Sequence, residues 1–349
     1  MNKNPPIACL FFLAVILFVF ARSGQAKSEV SVCDSGYFEV MGTIAHIVSV
    51  GFDNTTAERS VTAAKAALKN VERSMSGHDP NSLLSRINRN AFKEPVRIDS
   101  HMQEVFIASR HYSELTKGVF DITVGPIVDL WNKAEENSRK PTDKEIAKAT
   151  SKVGHEKLLI DKENQTIRFQ MDGMRIDLGG IAKGYGIDRA VEALTDRGAV
   201  GGLVDVGGDI FCFGMNRNGE KGWKIGIKEP VNPGGVLVVL NIDQAAVATS
   251  GDYRRFVIID GERYSHIVNP DTGISATGTP SVTIISRTAI QADALATAVS
   301  VMGYKKGIRL LGTIEDTEAV ILVPLEEGGL EKIYTEGMDK YIDTSYSEQ

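Results

Sequence analysis

The sequence predicts an α+β fold with mixed, largely antiparallel sheets flanked by helices. Three observations lead there. Stretches with strand-like alternation are mostly separated by turns rather than by helices. Other stretches carry apolar residues at helical spacing. No internal repeat, low-complexity tract or clear linker divides the chain.

The 349 residues are 42% hydrophobic and 24% charged, an ordinary globular balance with enough length for a large core. The formal net charge of -6, without a basic block, argues against nucleic-acid binding. At the N-terminus, Lys3 precedes an apolar run from Ile7 to Phe20, and Gly24-Gln25-Ala26 follows with small residues at Gly24 and Ala26. This is the layout of a secretory signal peptide over residues 1–26, cleaved after Ala26. The alternative is an uncleaved anchor, but a bilayer span needs about 20 apolar residues and the run is shorter. Residues 27–349 are expected to form a single exported domain in the periplasm, and no later stretch is long enough to cross a membrane. Cys9 leaves with the signal, while Cys33 and Cys212 remain. An oxidising compartment would permit their pairing, which spacing leaves open. Cys33 lies well beyond the apolar run, which argues against a lipid-modified terminus.

Tyr37 to Val50 alternates like a strand, passing through Met41-Gly42-Thr43. Asn54-Thr55-Thr56 offer N-caps to a helix reaching about Met75, with a core-facing stripe at Val61, Ala64, Leu68, Val71 and Met75. Ser76 to Ser82 is a loop of turn formers that contains His78. Ser100 and Gln103 form a capping box for a helix to Lys117, closed by Gly118. From Gly118 to Trp131, apolar residues beside Asp121 point to backbone held against something flat or bulky; a buried turn with Asp121 as its local cap is the alternative. Pro141 and the box Thr142/Glu145 open a helix to Val153. Leu158–Asp161 and Thr166–Phe169 read as a hairpin.

Two later stretches carry chemistry. In Arg175 to Gly186, a strand ends in Gly179-Gly180 and opens a helix with its stripe at Ile187, Ala190, Val191 and Leu194. Such a turn presents free amide donors and the positive end of the helix dipole, which suit phosphate, and Lys183 adds a cation there. The stretch lacks GxxxxGK[ST] and GxGxxG, so it is neither a P-loop nor a dinucleotide fingerprint. In Gln291 to Val299, Asp293 and Thr297 stand four apart on one helical face. An acid and a hydroxyl so placed offer hard oxygen ligands to a small cation. The plainer reading is that Asp293 caps the helix and Thr297 bonds back to a carbonyl.

Between these, Gly201 to Gly214 reads as a glycine-bearing strand in which Asp205 and Asp209 favour turn roles. Strands are expected at Trp223–Ile227, Val236–Ile242, Val257–Ile259 and Val282–Ser286. His266 follows a strand just ahead of a Pro/Asp/Gly turn, where side chains are commonly presented to a site.

Several stretches together resemble the FAD:protein FMN transferase family, also called the ApbE family. They are Met41-Gly42-Thr43, Asp79 to Ser82 with Ser85-Arg86-Ile87-Asn88, Gly118-Val119-Phe120-Asp121 through Trp131, and Asp177 through Tyr185. Val206 to Asp209, Thr249 to Tyr253, Ser265 to Pro270 and the Asp293 helix complete an ordered series spanning most of the chain after Ala26. The resemblance implies a T-fold-like ApbE architecture. It also implies an envelope enzyme that takes FAD as substrate, uses Mg²⁺, and attaches FMN through a phosphoester to a threonine or serine of a partner protein, releasing AMP.

The metal ligands implied are the Gly180 carbonyl, Asp293 and Thr297. The flavin contacts implied are Met41, His78, Val119, Phe120, Asp121, Asp177, Lys183 and Ile267. His266 is tied to the transfer step, and Asp293 is catalytic through the metal. Two positions depart from the family pattern: His78 stands where an aromatic Tyr or Trp is usual, and Gly179-Gly180 where serine or alanine is common. Two other readings stay open at this level: a hydrolase giving FMN and AMP, and a non-catalytic flavin-binding protein.

Overall fold

A computed structural model describes residues 30–229, 234–251, 256–259, 261–265, 267–276, 281–325, 327 and 329–345. The expected signal segment and His266 lie outside the described residues.

The chain opens with β1 (Ser31–Val40), β2 (Thr43–Gly51), α1 (Asn54–Met75), α2 (Leu83–Asn90), β3 (Val96–Arg97) and α3 (Ser100–Leu115). It continues through α4 (Gly125–Glu136), α5 (Asp143–Thr150), β4 (Leu158–Asp161), β5 (Thr166–Phe169), α6 (Ala182–Asp196), β6 (Gly201–Val206) and β7 (Asp209–Gly214). Then come β8 (Trp223–Lys228), β9 (Val236–Ile242), β10 (Ala245–Gly251), β11 (Phe256–Ile259), β12 (Glu262–Ser265) and β13 (Ser281–Ser286). The last elements are α7 (Ala289–Met302), α8 (Tyr304–Leu311), β14 (Glu318–Pro324) and β15 (Leu330–Tyr334).

The central sheet has eight strands in the order β1-β2-β6-β7-β10-β13-β14-β15. Its ladders are all antiparallel; turns join β1–β2, β6–β7 and β14–β15, while longer stretches bring the other neighbours together. Smaller antiparallel sheets are β3-β5-β4, β8-β9 and β11-β12. The fold is therefore α+β with antiparallel sheets, as the sequence predicts.

Both faces of the central sheet are covered. Ala45, Ile47, Val204, Val206, Ala246, Ala248, Val282 and Ile284 pack under α1, α6 and α7. The intervening residues Val48, Val50, Cys212, Ala245, Val247, Ile285, Val320 and Leu322 pack against Trp223 and Ile225 of β8 and Leu240 of β9. Period-2 side-chain direction sends alternate residues to opposite cores, so these strands read as apolar runs. A third cluster joins Ile127 and Trp131 of α4 to Ala149 of α5 and Tyr264 of β12.

Local readings need correction where a stronger acceptor or a turn intervenes. The first helix is capped by Asp53, whose carboxylate accepts the Thr56 N–H at 2.8 Å, not by Asn54-Thr55-Thr56. The α3 cap is Asp99, accepting from Met102 at 2.8 Å, while Gln103 of the expected box donates instead to the Lys162 carbonyl. That helix ends at Leu115, because Lys117 and Gly118 take positive φ. Thr142 and Glu145 do form a capping box, but α5 stops at Thr150 rather than Val153.

The expected strand from Tyr37 is a hairpin that turns at Met41-Gly42. Gly201 to Gly214 is likewise a hairpin, β6–β7, turning at Gly207-Gly208, both of positive φ. Arg175 to Leu178 is no strand. Its backbone is held by Asn88 and by a single parallel bridge from Arg175 to Val124. The sequence reading also missed α2 and α4; Ser82 caps the first, and Pro126 sits in the first turn of the second. Cys33 and Cys212 are free. They lie on β1 and β7, three strand spacings or about 14 Å apart, beyond disulfide reach.

Candidate active site

Helices α6 and α7 cap each other. Asp293 is 3% exposed, and its Oδ2 accepts the Gly184 N–H at 3.0 Å. Gly184 is the third residue of α6, whose N-cap residue Ile181 supplies no side-chain acceptor. Asp188, one turn further along α6, accepts the Ala289 and Ile290 N–H groups at 2.7 and 3.0 Å. These belong to the first turn of α7, whose own N-cap Thr288 likewise makes no side-chain cap bond. Each helix thus satisfies donors that the other leaves orphaned. The approach needs glycine: a Cβ on Gly184 would stand 2.2 Å from the Ala289 carbonyl oxygen. Asp293 is indeed a capping residue, but for α6 rather than for its own helix.

Lys183 lies between two buried carboxylates. Its ammonium pairs with Asp209 and stands 3.5 Å from Asp293 Oδ1. Asp209 opens β7, is 2% exposed, and also accepts the Thr249 N–H at 3.0 Å. The turn role expected of Asp209 is therefore corrected, since it belongs to this cluster; Asp205 does serve the turn, accepting from Gly208 at 2.7 Å. One ammonium between two carboxylates leaves net negative charge, which a bound cation would offset.

The glycine bend reaches the same place. Asp177 Oδ1 accepts the Gly179 N–H at 2.8 Å. The Gly180 backbone lies on Thr297, close enough that a Cβ at 180 would stand 2.9 Å from Thr297 Oγ1. That hydroxyl also faces Ser250 Oγ of β10 at 3.5 Å. Gly180 therefore lies beside Thr297, one turn along α7 from Asp293, and a backbone carbonyl, a carboxylate and a hydroxyl are oxygen donors of the kind a small hard cation takes. No group of three or more His, Cys, Asp or Glu side chains is arranged for a metal among the described residues, so a cation here depends on backbone and hydroxyl oxygens.

The segments carrying the other implied contacts are tied to this bend. The Asp177 N–H donates to the Ile122 carbonyl at 2.7 Å, joining 119–124 to 175–178. Asn88 clamps Ile176 from both sides, donating to its carbonyl at 2.9 Å and accepting its N–H at 2.8 Å. The Asp121 carboxylate is occupied by the Thr123 N–H and hydroxyl and by the His155 N–H, each at 2.7 Å. This is the local-turn arrangement, extended to a second segment. Phe120 is a core side chain, edge-on to Tyr112, so 119–121 offers a ligand mainly backbone. Met41 has φ 55° at the β1–β2 turn, donates its N–H to Glu72 Oε1 at 2.6 Å, and packs its sulfur against Gly186 of α6.

His78 sits in an exposed loop held by Ser76. Ile267 is buried, with its backbone tied to Ser265 and Ala276. Among the described residues, no hydrogen bond or ion pair joins either of these two to the Lys183–Asp293 cluster. The sequence carries no local signal for Asp188, includes Asn88 and Ser250 in the resembling stretches without a role, and points Asp209 to a turn.

Comparison with known proteins gives a consistent result. The model of the ApbE family matches residues 41–321. A protein of Vibrio cholerae named FAD:protein FMN transferase is 36% identical, with 85% of this chain and 89% of that protein covered. One of Haemophilus influenzae with the same name is 32% identical over 78% and 81%. Among solved structures, the ApbE protein of Thermotoga maritima aligns with TM-score 0.79 at 33% identity, covering 89% of this chain and 98% of that one. The flavin transferase ApbE of Vibrio cholerae aligns with TM-score 0.76 at 29% identity, covering 90% and 99%.

Proposed function

The chain belongs to the ApbE family, and on that premise we propose that it is a FAD:protein FMN transferase. It takes FAD, cleaves the diphosphate, and leaves FMN esterified to a threonine or serine of an envelope acceptor protein. The hydroxyl oxygen forms the new bond to the FMN phosphorus, the bond to the AMP oxygen breaks, and AMP departs. The supporting observation is that Gly180 lies beside Thr297 while Asp293, one turn away on α7, faces Lys183 and the Gly184 N–H at the start of α6.

Gly180, Asp293 and Thr297 would hold Mg²⁺, which when bound offsets the charge of the diphosphate and of the leaving group. Lys183 binds phosphate oxygens; the free amide donors expected at the glycine bend are instead taken up, Gly179 by Asp177, Ile181 and Ala182 by the Leu178 carbonyl, and Gly184 by Asp293. Asp209 aims the Lys183 ammonium, while Asn88 and the Asp177–Ile122 bond set the backbone that lines the flavin. His266 takes the proton from the acceptor hydroxyl. The enzyme is exported to the periplasm, with residues 27–349 acting as one unit after cleavage at Ala26.

Incubating the protein with FAD and Mg²⁺, with and without a co-expressed envelope acceptor, tests this. Mass spectrometry should find FMN on an acceptor threonine or serine, with AMP released in step. Free FMN as the main product in both arms would make the protein a hydrolase, and intact FAD in both would make it a flavin-binding protein.

A further inference from the structure

We propose that Asp188 is the positioning residue of the cation site: by accepting the Ala289 and Ile290 N–H groups from α6, it sets the rotation and height at which α7 presents Asp293 and Thr297. The inference rests on the reading that Gly180, Asp293 and Thr297 hold the cation. Among the described residues, the hydrogen bonds of the Asp188 carboxylate go to the α7 N-terminus rather than to those three groups.

Four residues separate Ala289 from Asp293 and eight separate it from Thr297, about 6 and 12 Å along the axis. A loosened first turn of α7 therefore shifts the Asp293 carboxylate directly. Because Thr288 supplies no cap bond, Asp188 is the side-chain acceptor available to that turn. The opposite half of the cluster rides on the same helix as Asp188. Lys183 and the Gly184 N–H lie in the first turn of α6, five and four residues before it. One helix thereby carries both the ammonium that faces Asp293 and the carboxylate that fixes the helix bearing Asp293. Asn at 188 has one acceptor oxygen for two donors, and Ala has none.

The test measures binding of Mn²⁺ alone, from the electron paramagnetic resonance signal of the free ion, to the full-length protein and to Asp188→Asn, Asp188→Ala, Asp293→Ala and Leu194→Ala. Residues that orient metal ligands typically change metal affinity by 10–100-fold. Asp188→Ala should weaken Mn²⁺ binding by at least about 10-fold, with Asp188→Asn in between. Leu194→Ala, which opens a core cavity near the far end of α6 and leaves both caps intact, should bind Mn²⁺ like the parent at matched fraction folded. Asp188 variants that bind as tightly as the parent, or that lose no more affinity than Leu194→Ala, would overturn the inference while Asp293→Ala still abolishes binding. Undiminished binding by Asp293→Ala would instead remove the cation reading itself, and this inference with it.

Discussion

Asp293 on α7 and Gly184 on α6 are joined by a 3.0 Å hydrogen bond from the Gly184 backbone N–H to Asp293 Oδ2. A residue proposed from its spacing to Thr297 as a cation ligand thus caps a different helix, 109 positions earlier in sequence. With one oxygen on the amide, Oδ1 is left toward Lys183, 3.5 Å away, and toward any cation beside it.

This division of labour separates two substitutions. Asp293→Asn keeps an acceptor for Gly184 and should melt close to the parent. Asp293→Ala loses the cap and should be less stable by about 1–2 kcal/mol. Both should lose Mg²⁺-dependent FMN attachment, read by in-gel flavin fluorescence of the acceptor. Attachment at the parental rate by either variant contradicts the role given to Asp293.

Gly184→Ala tests the helix crossing. The added carbon would stand 2.2 Å from a backbone oxygen of α7, which cannot rotate away as a side chain can. Overpacking of this kind destabilises by about 1–3 kcal/mol. Thermal melting should show that loss, together with weaker cation dependence of transfer. A parental melting temperature would mean that the helices do not pack this closely.

Asp209→Asn keeps the acceptor for Thr249 but removes the charge facing Lys183. The Lys183 side chain is 31% exposed, so the stability change should be modest, about 1 kcal/mol. The kinetic change should be larger, a several-fold rise in KM for FAD as the ammonium moves toward Asp293. Unchanged steady-state kinetics would return Asp209 to a turn role.

Asn88→Ala removes both bonds to Ile176 and leaves that backbone unpaired. The expected loss is about 2–3 kcal/mol of stability, with weaker FAD binding measured by flavin fluorescence quenching. Stability loss with parental FAD affinity would separate this clamp from the flavin site.

Burial, with a smaller contribution from the Asp293 charge, raises the Asp188 carboxyl from 3.8 to about 6. A folded value above the unfolded one means that the folded state binds the proton more tightly. Stability from this group therefore falls as pH rises from about 4 through 6, by about 3 kcal/mol in all. Glu145 and Asp343, held down to about 2 by their hydrogen-bond partners, act in the opposite sense. The informative quantity is thus the difference in melting temperature between the parent and Asp188→Asn. It should shift in favour of the parent as pH falls from 7 to 5, and a flat difference counts against the buried carboxylate.

Much of the fold was legible because its rules are local. Alternation marked most strands, stripes marked α1 and α6, and the many strands separated by turns implied largely antiparallel pairing. Asp293 and Thr297 announced themselves by a spacing of four, and Gly179-Gly180 with Lys183 by a turn opening a helix. The hairpin turns at Met41-Gly42 and Gly207-Gly208 were overlooked because apolar alternation continues across them.

The sequence alone determined which short stretches can present oxygens, amides and charge. Periodicity and capping rules act over about four residues, and within that range they assigned Asp293 to its own helix and Asp209 to a turn. Only the tertiary structure decided that Asp293 caps Gly184, that Asp209 meets Lys183, and that Asp188 and Asn88 hold distant backbones. Those choices depend on which helix ends and loops are left with unsatisfied backbone groups once the sheet is assembled. Groups left unpaired in that way are met by whichever side chains packing brings within 3 Å, however far away in the chain they began.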